Sequence, residues 1–96
     1  MAKIYQIGAG MIGQTMALDL AEDHDVFLGD INIDDVSDKI KNHSSIALLK
    51  VDAQDIKQVS SFILDADIVL LAVPGHLGFK ILKTIIECGK NVVDIS

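Results

Sequence analysis

Arginine and tryptophan are missing from this chain, and cysteine and proline occur once each, as Cys88 and Pro74. Without arginine, eight lysines face fourteen acids, for a formal net charge of -6. Nucleic-acid phosphates select basic surfaces and anionic membranes do the same, so no nucleic acid and no membrane is expected as a partner. A lone cysteine excludes an intramolecular disulfide and fits a reducing compartment. The first ten residues contain neither a basic leader nor a long apolar stretch. Nor does any apolar run approach the roughly 18 residues of a membrane span; the longest lies between Ile68 and Pro74. A cytoplasmic protein is expected.

What the chain does have is apolar residues in a patterned order. Half of it is hydrophobic and the mean hydropathy is +0.41, high for 96 residues, since a chain this short holds one core and buries a smaller share of its surface than a full-size enzyme. Buried parallel strands are one ordinary cause of such a value, and uncovered interface is another. Strand-length apolar runs alternate with amphipathic segments, with no repeat, low-complexity tract or linker, which is βαβ patterning in one domain over residues 1–96.

The run Ile4-Tyr5-Gln6-Ile7-Gly8-Ala9-Gly10-Met11-Ile12-Gly13 reads as a strand, then G-x-G-x-x-G, then a helix. The three glycines act differently. Gly8 turns the chain sharply off the strand, Gly10 keeps side-chain bulk away from a pyrophosphate, and Gly13 lets the helix lie close on the strand. The helix start, at Gly10 to Ile12, offers unpaired N–H groups and the positive end of its dipole to the phosphates, so no basic side chain is needed. The second requirement of such a site is an acid about 20 residues on, at the end of the next strand; Asp30 stands 20 positions after Gly10.

In chain order, strands are expected at residues 3–7, 25–30, 46–51, 68–73 and 91–95. Helices are expected from the glycine turn to residue 22, over 33–41 with Asp34 and Asp35 in the first turn, over 56–64 behind an Asp55 cap, and over 77–87 closed by Gly89. Gln6 is awkward in a strand covered on both faces and must find hydrogen-bond partners. Right-handed crossovers with a reversal after the third strand give a Rossmann-type α/β fold, a doubly wound parallel sheet in the order 3-2-1-4-5. The carboxyl ends of strands 1 and 4 then form one rim carrying Gly8, Gly10, Gly13, Asp30, Asp52 and Val73 to His76.

Asp30 suits the adenosine ribose hydroxyls, and a 2′-phosphate there would meet its charge and that of Asp34 and Asp35. NAD is therefore expected in preference to NADP, whose sites usually supply an arginine. Asp52 is either a contact to the adenine edge or a turn residue. His76 reads as a solvated loop histidine, Cys88 as a small packing residue, and no metal-ligand spacing occurs. No catalytic residue is assigned.

The stretch Asp67-Ile68-Val69-Leu70-Leu71-Ala72-Val73-Pro74-Gly75-His76-Leu77-Gly78-Phe79 and the ending Glu87-Cys88-Gly89-Lys90-Asn91-Val92-Val93-Asp94-Ile95-Ser96 resemble the N-terminal domain of the saccharopine dehydrogenase family, which includes the lysine dehydrogenases. With the glycine turn and Val51-Asp52-Ala53, the likeness spans nearly the whole chain. The resemblance implies a nicotinamide-dependent oxidoreductase of lysine metabolism that acts on a carbon–nitrogen bond of an amino acid. Gly8, Gly10 and Gly13 would then serve the pyrophosphate, with Met11 and Ile12 between them, Asp30 the ribose, and Val73, Pro74 and Gly75 would lie beside the cofactor. Family members continue into a substrate domain beyond the position of Ser96, so inactivity of this chain alone is expected. A homodimer through uncovered apolar surface or the edge of the fifth strand is a further expectation. The family includes NADP users, and an aspartate at Asp30 without an arginine departs from their pattern. The alternative is a stand-alone nucleotide-sensing module resembling the regulatory domains of potassium transporters, against which the Val-Pro-Gly turn speaks.

Overall fold

The computed structural model describes residues 2–95. Among these the elements run β1 (Lys3–Ile7), α1 (Met11–Leu20), β2 (Asp25–Asp30), α2 (Asp38–Lys41), β3 (Ile46–Lys50), α3 (Ile56–Phe62), β4 (Ile68–Leu71), α4 (Gly75–Glu87) and β5 (Val92–Asp94). The strands form a single parallel sheet in the order β3-β2-β1-β4-β5, the expected Rossmann-type order. No helix among the described residues is long and apolar enough to cross a membrane.

Alternation along the strands sends apolar side chains to both faces, and each face has its own helix pair. Ile7, Val69, Leu71 and Val73 pack with Val59 and Ile63 of the α3 segment and Ile81 and Ile85 of α4. On the other face Val26, Leu28 and Ile46 pack with Ala17 and Ala21 of the α1 segment and Ile40 of α2. Fully burying one such aliphatic side chain stabilises the fold by roughly 1.5–3 kcal/mol. Three of the four aromatic residues gather beside the first cluster, Tyr5 stacking on Phe27 at 4.3 Å and meeting Phe62 edge-on at 5.1 Å. Burial there, with Asp65 nearby, pushes the Tyr5 hydroxyl above its usual pKa.

Helix ends show where local chemistry overrides pattern. Asp55 caps α3 as expected, its carboxylate accepting from the N–H groups of Lys57 and Gln58. The second helix is far shorter than residues 33–41: Asp34 and Asp35 lie in a turn, not in its first turn. The polar side chains there satisfy the backbone without a helix, Asn32 donating its N–H to Asp30 and its side-chain amide to Asp35. Conversely, α4 begins at Gly75 rather than at residue 77, because Pro74 serves as its N-cap residue; a helix's first N–H groups need no intrahelical partner. α1 stops at Leu20, which leaves Glu22 and Asp23 beyond its negative end. Gly89 takes φ 73° and closes α4, while Lys90 Nζ donates to the Leu64 and Ala66 carbonyls. Cys88 is exposed, not a packing residue.

Of the glycines, Gly8 has the closest backbone neighbour. Its φ is +110°, and a Cβ would overlap the carbonyl oxygen of Ala72, whose N–H extends the ladder to Ile7. Gly8→Ala should therefore cost more than about 3 kcal/mol or prevent folding, read as the loss of the cooperative urea transition; a near-normal transition would show that the backbone can withdraw from β4.

Candidate functional site

At the end of β1 the chain turns at Gly8, passes Ala9 and enters α1 at Met11, with Gly10 extended as the N-cap residue. Gly10 has no side chain to cap the helix, so the first N–H groups of α1 keep their positive end free. They open beside a cleft of about 350 Å³ between this turn and the end of β4, walled by Gly10, Met11, Ile12, Gly13, Val73 and Pro74. A Cβ on Gly10 would meet nothing within 4 Å. The space it would take is room for a ligand to reach the backbone, so an anionic group of pyrophosphate size fits these residues.

A second hollow of about 230 Å³ adjoins the first, since Val73 and Pro74 wall both. Gly8, Asp30 and Asp52 line it from the ends of β1, β2 and β3. Asp30 Oδ2 accepts the Ala9 N–H at 2.7 Å and Oδ1 accepts the Asn32 N–H at 2.9 Å. A carboxylate offers about four acceptor positions, so it retains capacity for two hydroxyl donors. Asp52 acts as a turn residue, its Oδ1 accepting the Gln54 N–H at 2.9 Å, and still faces this hollow.

The structure thus brings together Gly8, Gly10, Met11, Ile12, Gly13, Asp30, Asp52, Val73 and Pro74 along one edge of the sheet. Gly75 opens α4 next to Pro74 but lines neither hollow. His76 sits in the first turn of α4 and lines neither hollow; it faces a depression with Lys80 that adjoins the second hollow through Ala53, Gln54 and Leu77. Among the described residues no group of three or more His, Cys, Asp or Glu could hold a metal ion.

Two supporting residues were beyond the reach of motif spacing. Gln14 donates its Nε2 to the Ala9 carbonyl and accepts the Ser37 N–H on Oε1, tying the glycine turn to residues 31–37. Ile95 closes the first cleft from the far side of β4. Gln14 belongs to no motif and is set apart only by its half-buried place on the first turn of α1, while Ile95 lies in the ending that carries the resemblance but has no site role assigned to it there.

Residues 4–96 match the family model described as the saccharopine dehydrogenase NADP binding domain. Among solved structures, the fold is similar to saccharopine dehydrogenase (L-Glu forming) from Saccharomyces cerevisiae, with TM-score 0.85 and 20% identity over 100% of this chain and 22% of that one. It is also similar to a short-chain dehydrogenase/reductase from Veillonella parvula in complex with NADP, with TM-score 0.79 and 18% identity over 97% of this chain and 46% of that one. A 3-hydroxyacyl-CoA dehydrogenase from Archaeoglobus fulgidus gives TM-score 0.71 and 21% identity over 98% and 33%. The chain spans less than half the length of each of these structures. The family description supports a dinucleotide cofactor and favours NADP, whereas the sequence expectation was NAD.

Proposed function

This chain belongs to the family of saccharopine dehydrogenase NADP binding domains, and on that premise we propose that it is the cofactor-holding domain of an oxidoreductase acting on a carbon–nitrogen bond of an amino acid. The cofactor-holding part rests on the uncapped start of α1 at Gly10, which opens on a cleft, with Asp30 at the neighbouring hollow; the carbon–nitrogen chemistry is proposed from the family alone. In this proposal the backbone from Gly8 through Gly10, Met11, Ile12 and Gly13 receives the pyrophosphate, and Asp30 accepts from the ribose hydroxyls. Asp52 borders the adenine, and Val73 and Pro74 flank the rest of the cofactor, with Gly75 behind them as the first residue of α4.

The bound dinucleotide supplies a hydride acceptor; the protein's own part is to hold and orient it. Between the two cofactors we propose NAD. The family description supports NADP. Against it stand the absence of arginine and a carboxylate at Asp30 where a 2′-phosphate would carry like charge. Catalysis also requires the substrate carbon held against the nicotinamide and groups placed to take its proton. Those we assign to a substrate domain, so this chain alone is proposed to bind without turning over. Support comes from the exposed Met11 and Ile12 beside the cleft and the exposed Phe79, Ile86 and Val93, surface that a partner domain, or a second copy of the chain, would cover. Lysine metabolism in the cytoplasm is the setting this proposal implies.

Calorimetric titration should show NAD binding more tightly than NADP, and Asp30→Ala should weaken NAD by about 1–3 kcal/mol. Equal or tighter NADP binding would remove Asp30 from the ribose. Gly10→Val should keep its fold, losing no more than about 1 kcal/mol at the N-cap position, yet lose NAD affinity; a folded variant with normal affinity would sink the site. With lysine or saccharopine and NAD, the 96-residue chain should form no NADH. Turnover by a species that sediments as a monomer would mean that these residues contain a complete active site.

A further inference from the structure

Gln6 is fully buried in β1, among positions that otherwise hold Ile4 and Ile7. Its Nε2 donates to two carbonyls, that of Gly8 at 3.0 Å and that of Gly13 at 2.6 Å, while its Oε1 is buried with no partner. An unmatched buried carbonyl is unfavourable, and an apolar residue of similar size would avoid it. What Nε2 does must offset that penalty.

The Gly8 carbonyl and the Ala9 N–H belong to one peptide group. Its oxygen is held by Gln6 Nε2, and its N–H is held by Asp30 Oδ2 at 2.7 Å. A peptide group is planar, so fixing both polar ends fixes the orientation of the whole plane. This matters most here, because Gly8 has the widest backbone freedom of any residue type and sits at φ +110°. The second Gln6 bond ties the same amide to the Gly13 carbonyl in the first turn of α1. Gly13 must be small for this to happen, since a Cβ there would lie 3.1 Å from Gln6 Nε2 and 2.5 Å from the Gly8 oxygen.

We propose that Gln6 is a positioning residue of the dinucleotide site: its buried amide presets the Gly8–Ala9 peptide and the first turn of α1, so that the pyrophosphate meets backbone N–H groups already in place. The role rests on the function proposed above. Preorganisation of this kind raises affinity by removing the ordering cost from the binding step. Asp30 keeps a separate anchor in the Asn32 N–H at 2.9 Å, so the ribose end does not depend on Gln6.

The test compares the wild-type chain with Gln6→Met by calorimetry, using ADP and adenosine as probes, because their affinity ratio isolates the pyrophosphate's share. In Gln6→Met the ratio should fall about tenfold, the equivalent of roughly 1.4 kcal/mol, with adenosine affinity unchanged. A purely structural role would lower the melting temperature and leave the ratio as it was, which would overturn the proposal while leaving the dinucleotide site standing. A wild-type chain that binds ADP no better than adenosine would remove the site and the role of Gln6 together. Amide exchange at Ala9 in the wild-type chain needs no substitution: slow exchange is expected, and exchange at the rate of an exposed loop amide would overturn the clamp.

Discussion

The close passage of backbone against backbone at Gly8 is the constraint on which the working edge of this sheet depends. Gly8 lies against the Ala72 carbonyl on one side, and on the other its own carbonyl lies where a Gly13 Cβ would be. Three segments, the end of β1, the end of β4 and the start of α1, converge on a volume that one methyl group would overfill. Because β4 comes this near, Val73 and Pro74 stand opposite the glycine turn and the cleft has two walls. Interiors are close-packed and do not deform gradually, so such a junction is either made or lost.

The same closeness explains how a chain with net charge -6 and no arginine offers a place for an anion. Backbone N–H groups at a helix start carry partial positive charge that is already oriented and needs no side-chain ordering. Acidic residues then remain free for other roles at the same edge. Asp30 organises the glycine turn through Ala9 and the following loop through Asn32, and Asp52 shapes the turn after β3. A net negative charge is therefore compatible with binding a phosphate-bearing small molecule.

The two faces of the sheet are unequal in what covers them. α3 and α4 form continuous cover over one face, while α2 is a single short turn on the other. The apolar residues left in the open, Met11, Ile12, Phe79, Ile86 and Val93, account for part of the high mean hydropathy. The rest comes from strands buried on both faces, Val69, Leu70 and Leu71 among them.

Much was legible in the sequence by itself. Strand positions, the order 3-2-1-4-5 and the edge shared by Gly8, Gly10, Gly13, Asp30 and Val73 all follow from local periodicity, turn chemistry and the handedness of crossovers, which act over short stretches of chain. Only the tertiary structure decided the rest. Asp34 and Asp35 precede α2, whose N-cap residue Ser37 is tied by its N–H to Gln14 of α1, a contact across the fold. His76 faces a depression that α4 forms against Ala53 and Gln54, beside the second hollow but not lining it. Gln6 could be recognised in the sequence as a residue needing partners. That its partners are the Gly8 and Gly13 carbonyls is decided by how α1 packs back on β1, a contact between residues whose geometry no spacing rule contains.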